Sequence, residues 1–132
     1  ICLLSYEHPR IREQLTLAQY VAEAHAAVDT SGTGHWMLDQ EILRRQIHRR
    51  IALRVPNYMA IPFVIEQTDL LVTLPERLAD VLKGKGHFLS LPLPFPSPRF
   101  TVKQHWHERF HHDPGNQWLR RTIAELVSGP AI

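Results

Sequence analysis

Between residues 51 and 75 the chain changes its apolar rhythm three times. Ile51-Ala-Leu-Arg-Val55 alternates apolar positions with a basic one, as a half-buried strand does. Asn57 is suited to cap the next helix, because its short side-chain oxygen can accept an orphan backbone N–H. Pro62 must then fall in that helix's first turn or kink it. Residues 69–73 read as another strand, and Pro75 opens a helix through Leu82. Upstream, residues 1–5 form an apolar strand, and His8-Pro9 marks a turn, since a residue before proline avoids helical angles. Thr16-Leu-Ala-Gln19 fits a capping box at a helix start, with Leu17, Tyr20, Val21 and Ala24 on one helical face. Residues 25–29 are a short strand. Thr30-Ser-Gly-Thr-Gly34 is a polar loop into a helix over 35–46, with Trp36, Asp39, Ile42 and Leu43 near one side.

The second half continues the alternation. Lys83-Gly-Lys-Gly86 ends a helix, residues 88–91 read as a strand, and Pro92-Leu-Pro-Phe-Pro-Ser-Pro98 is a stiff extended connector. Residues 100–107 alternate strictly, with Phe100, Val102, Gln104 and Trp106 on one side, which predicts a strand. Asp113-Pro114 starts a last helix whose apolar stripe is Trp118, Leu119, Thr122, Ile123, Leu126 and Val127. Strands alternating with helices define an α/β class with mostly parallel sheets flanked by helices.

At 132 residues the chain is long enough for one domain with a real core, and 44% hydrophobic with 21% charged residues excludes a disordered chain. No apolar run approaches the roughly 20 residues that span a bilayer, and Ile1-Cys-Leu-Leu shows no basic leader. The expectation is a cytoplasmic location without a membrane partner. A net charge of +2 makes no continuous basic stripe; Arg44-Arg45 and Arg49-Arg50 are the dense pairs, read as a solvated helix end. Cys2 is the only cysteine, so no internal disulfide can form, and it reads as a buried inert strand residue. Opening on an apolar strand suggests a piece of a larger protein.

Candidate chemistry points to binding. Thr30, Ser31, Gly32 and Thr33 precede a helix, so their hydroxyls and N–H groups can hold an anionic group, or Ser31 or Thr33 simply caps the helix. Asn57 and Tyr58 open a second helix with the same two readings. His25 begins the strand that leads to the Thr30 loop, as a ligand contact or a structural residue. His105 and His107, two apart on the predicted strand, point the same way, as a zinc site needs, with His111, His112 or Asp113 as a third ligand. No cysteine lies nearby and no His-Glu-x-x-His pattern accompanies them, so no metal is expected. The serines lack a nucleophile elbow. Gly32-Thr-Gly34 and Gly84-Lys-Gly86 lack the third glycine of a dinucleotide loop. The carboxylate pairs Glu23/Asp29 and Asp39/Glu41 read as solvated faces. No catalytic residue and no cofactor are expected.

Several dispersed marks carry a family likeness. Thr68-Asp69-Leu-Leu-Val-Thr-Leu-Pro75 with Arg77-Leu-Ala79, then Leu91-Pro-Leu-Pro-Phe95, Trp106-His107 and Trp118-Leu119-Arg120, span most of the chain. Together they resemble the effector-sensing domain of LysR-type bacterial transcription regulators, in the branch that senses aromatic or flavonoid-like inducers. The resemblance implies a type II periplasmic-binding-protein-like fold. Residues 5–69 would form the second subdomain, and 1–4 with 70–132 the hinge strands and C-terminal part of the first. A small, aromatic or carboxylated inducer would bind between subdomains, touching His25, Thr30, Ser31, Gly32, Thr33, Asn57 and Tyr58. The resemblance also implies a dimer or tetramer, and DNA binding through a helix-turn-helix that these residues do not contain. Two other readings are an extracytoplasmic solute-binding protein of the same two-lobed plan and a zinc-dependent hydrolase built on the His105 to His112 cluster.

Overall fold

The computed structural model describes residues 1–29, 33–83 and 86–128. In chain order the elements are β1 (Cys2–Ser5), α1 (Leu17–Ala22), β2 (Ala24–Val28), α2 (Thr33–Arg44), β3 (Arg50–Val55), α3 (Ile61–Glu66), β4 (Leu71–Thr73), α4 (Glu76–Lys83), β5 (Phe88–Leu91) and α5 (Pro114–Ser128). Short 3₁₀ turns occupy Tyr58–Ala60 and Glu108–Phe110.

The strands form one sheet in the order β3-β2-β4-β1-β5. β2 runs parallel to β3 and β4, as strands joined through α2 and α3 must. β1 is antiparallel to both neighbours, with Cys2 opposite Thr73 on one side and Leu91 on the other. The sheet is therefore mixed: β2, β3, β4 and β5 share one direction, and β1 alone opposes them although α1 joins it to β2. Both faces are covered. Cys2, Leu4 and Leu71 pack with Tyr20 of α1 and with Leu38 and Ile42 of α2. Leu3, Ala26, Val28 and Val72 pack on the other face with Ile61 and Ile65 of α3 and Ala79 and Leu82 of α4. Burial on both faces is why β1 reads as an unbroken apolar run. Cys2 is buried as expected, and burial pushes its thiol up to about 12.

Local signals held where a short-range hydrogen bond decides them. The capping box is complete: Gln19 N donates to Thr16 Oγ1 at 3.2 Å, and Thr16 N to Gln19 Oε1 at 2.9 Å. Thr16→Ala is expected to cost about 1 kcal/mol, read as a shift of the urea midpoint without a change of slope. Pro62 sits in the first turn of α3. The Pro75 carbonyl accepts from Leu78 N and Ala79 N, just before α4. Asp113 Oδ1 accepts from Asn116 N at 2.7 Å at the start of α5.

Longer-range expectations change. α1 has only six residues. Tyr20 is buried, Leu17 and Val21 are exposed, and Ala24 already belongs to β2. On α2 it is Leu38 and Ile42 that face inward; Trp36 and Leu43 are exposed, and Asp39 binds Arg49 at 2.8 Å. Residues 100–107 form no strand, because alternation needs a neighbouring strand to pair with and the described residues offer none. The α5 stripe of Trp118, Leu119, Ile123 and Leu126 is exposed.

The chain divides into two compact units, Ile1–Pro98 and Arg99–Ile132. β4, expected as a crossover into another subdomain, is hydrogen-bonded between β2 and β1, with Leu71 and Val72 fully buried.

Candidate ligand-binding edge

In open α/β sheets, ligands bind outside the carboxyl ends of strands, where neighbouring strands send their helices to opposite faces. β2 and β4 are such neighbours. α2 follows β2 and packs on the Tyr20 face, whereas α4 follows β4 and packs on the other. The chain ends of β2 and β4 therefore part at one edge of the sheet.

Residues reach this edge from three strands. β2 ends at Val28, and Asp29 N donates to Val55 O at 2.9 Å, which holds the ends of β2 and β3 together. Arg54 binds Asp29 at 2.8 Å, with both side chains more than half exposed. Such a pair adds little stability, and water or a ligand carboxylate can compete for its guanidinium. After β3, Asn57 is extended and its Oδ1 accepts from Met59 N at 3.0 Å, so the predicted cap forms. Tyr58 beside it is half-buried against the α3 side of the core. α2 opens at Thr33, which brings the partial positive charge of a 12-residue helix to the edge. Thr30, Ser31 and Gly32 lie outside the described residues.

His25 is placed elsewhere. It lies in the first half of β2, opposite Ile51 and Leu71, with its side chain fully buried. Its Nε2 is 2.6 Å from Tyr20 O; a carbonyl only accepts, so Nε2 carries the proton. Nδ1 is then a bare acceptor without a partner. Burial lowers the pKa of His25 below its ordinary 6.5. Its ring meets Tyr20 edge-on at 4.5 Å, and the Tyr20 hydroxyl bonds Thr73 Oγ1 at 2.9 Å. Nothing in the residue pattern announces this Tyr20–Thr73 pair, which joins α1 to the end of β4 across 53 residues. Arg54 was legible only as the polar position of an alternating strand.

The histidine cluster separates. His105 and His107 are exposed and off any strand. His107 Nδ1 accepts from Arg109 N at 3.1 Å, and His111 Nδ1 lies 3.3 Å from Trp106 Nε1. Among the described residues, no three His, Cys, Asp or Glu side chains converge as metal ligands. The carboxylates are committed as well. Arg10 grips Glu23 at 2.6 and 2.8 Å and reaches Asp69 at 3.3 Å, which holds the Glu23 carboxyl below the usual range. Glu41 pairs with Arg44 and Arg45 on the flank of α2. No described helix is long and apolar enough to cross a membrane.

A mixed sheet with helices on both faces is consistent with a periplasmic-binding-protein-like regulatory domain. The solved regulatory domain of MexT, a transcriptional activator in Pseudomonas aeruginosa, superposes with a TM-score of 0.73 at 27% identity, covering 93% of this chain and 60% of that one. Residues 1–128 match the LysR substrate binding domain, and the chain belongs to that family. It is 37% identical over 128 residues to the HTH-type transcriptional activator NahR of Pseudomonas putida, covering 97% of this chain and 43% of NahR. It is 33% identical over 128 residues to the HTH-type transcriptional activator NagR of Ralstonia sp, covering 97% of this chain and 42% of NagR. The chain thus spans less than half the length of these curated relatives. They are transcription regulators, as the sequence reading expected, and not solute carriers or hydrolases.

Proposed function

We propose that this chain is the inducer-sensing part of a LysR-type transcription activator, and that a small carboxylated aromatic compound binds at the joint edge of β2, β3 and β4. The observation that carries this reading is the parting of β2 and β4 at that edge, with the start of α2 opening onto it. The helix N–H groups and Arg54 would take the carboxylate, and Asn57 and Tyr58 would lie along the ring. The hydroxyls of Thr30, Ser31 and Thr33 are further candidates for the carboxylate by their chemistry and their place before or at the start of α2 in the chain. No step of covalent chemistry is involved. Binding would shift a conformational equilibrium in a cytoplasmic homo-oligomer whose DNA contacts come from a separate helix-turn-helix, and it can do so only through unequal affinity for the two states.

The test uses the full-length parent protein and a panel of aromatic carboxylates that includes benzoate. At a concentration of 100 times Kd, a bound member should add about 2.7 kcal/mol and raise the melting temperature accordingly. Arg54→Ala, and the double variant Thr30→Ala with Ser31→Ala, should each blunt that rise. A panel without any thermal shift would sink the ligand class; a shift that all variants retain would move the site elsewhere.

A further inference from the structure

Residues 92–98 leave β5 at the edge of the sheet and carry prolines at 92, 94, 96 and 98. Within it Phe95 is buried, Leu93, Pro94 and Pro98 are half-buried, and Pro92, Pro96 and Ser97 are exposed, after the buried Leu91 that ends β5. Leu91, Phe95 and Leu93 all pack in the cluster on the Tyr20 face. Phe95 meets the Tyr20 ring edge-on at 5.4 Å, and the Tyr20 hydroxyl bonds Thr73 in β4. β4 lies two strands in from β5, and the Tyr20 side chain bridges Phe95 to the end of β4.

Side chains alone hold it down. Proline has no N–H to give, and among the described residues none from 92 to 98 makes a backbone hydrogen bond. Local openings draw on segments attached this way, at free energies below that of a laddered sheet. Cys2, in β1 opposite Leu91 of β5, is fully buried in the same cluster.

We infer that residues 92–98 are a strap that opens and recloses over the Tyr20 face as a unit smaller than the whole fold, with Phe95 as its latch. The strap ends where the first compact unit ends, at Pro98. Its latch rests on Tyr20, and Tyr20 is tied to Thr73 at the end of β4. A ligand that orders the β4 end therefore favours the closed strap. That last link rests on the proposed inducer edge; the strap itself does not.

Cys2 is the reporter. In the full-length parent protein, its modification by 5,5′-dithiobis(2-nitrobenzoate) is followed by peptide mass spectrometry from zero to low urea, beside global unfolding by circular dichroism. The strap predicts Cys2 labelling through an opening nearly independent of urea, and Phe95→Ala should speed it at least about tenfold with the same weak urea dependence. Phe95→Leu, which keeps an apolar plug, should speed it less, and it serves if the alanine variant does not fold. Labelling of wild type and variants with the urea dependence of global unfolding would overturn the strap. Benzoate, or whichever panel member raises the melting temperature, should slow Cys2 labelling. If urea-independent opening persists but no panel member slows it, the strap stands and its link to the inducer edge falls.

Discussion

Tyr20→Ala is expected to destabilise the fold by about 3–5 kcal/mol, a large share of the roughly 5–15 kcal/mol available to a domain. Tyr20 has no exposed surface, touches His25 and Phe95 edge-on, and bonds Thr73 through its hydroxyl. Removing the ring leaves a cavity where α1, β2, β4 and the 92–98 segment meet, and no single neighbour can collapse into it. Tyr20→Phe separates packing from hydrogen bonding. It keeps the ring contacts and leaves Thr73 Oγ1 without its partner, so it should cost about 1–3 kcal/mol. Urea unfolding of the three proteins checks the ranking. Equal losses for the two variants would show that the hydroxyl, not the ring, organises this corner.

The second large effect is a loss of stability in mild acid. His25 is fully buried, donates Nε2–H to Tyr20 O, and has its pKa lowered from 6.5 chiefly by burial. The Tyr20 carbonyl and Glu23 favour its charged form, while Arg49 and Arg50 oppose it. Below pH 6.5 the unfolded chain therefore takes up a proton that the folded chain refuses. The stability contributed by neutral His25 is complete above 6.5 and declines as pH falls toward the lower folded value, by up to about 1.4 kcal/mol per pH unit. Glu23 acts in a separate window. Its pKa is lowered from 4.5 by Arg10, so its contribution is present above 4.5 and fades only in stronger acid. Urea midpoints at about pH 7, 6 and 5 should fall for the wild type, and His25→Gln, which can still donate to Tyr20 O but does not titrate, should flatten the decline. Parallel declines in both proteins would assign the acid sensitivity to other groups.

How far the sequence could be read depended on the range of the interactions. Thr16 with Gln19, Asn57 with Met59 and Asp113 with Asn116 are bonds between residues two or three apart, and the residue types alone specify them. The elements of the first unit followed from the same local chemistry. Periodicity failed where the meaning of a period is supplied by a neighbour. Residues 100–107 alternate as a strand does, yet a strand exists only when another pairs with it. His105 and His107 lost their shared side with that strand. The flanks of β4 were likewise illegible: the sequence shows that residues 71–73 are a strand but not that β2 and β1 pair with it.

The candidate edge divides the same way. Asn57 as a cap and a helix following the Thr30 loop were legible, because capping chemistry is local, although α2 begins at Thr33 rather than near residue 35. That His25 turns into the core rather than toward the edge was not, since a polar residue in an apolar strand is compatible with either placement. The partner that decides it, Tyr20 O, is brought by the turn from α1 into β2. The 92–98 segment was legible as stiff, because its prolines remove N–H groups and fix φ. That it is seated through Phe95 required Tyr20 to be in place.

By itself, then, the amino-acid sequence determined the class, the caps, most of the elements and the family, all of which rest on residue chemistry within a few positions. The tertiary structure alone decided the mixed strand order, the parting of β2 and β4 at one edge, the burial of His25 and the seating of Phe95. Each of these joins residues distant in sequence, and such pairings are chosen by which apolar faces can be buried together rather than by any residue's own preference.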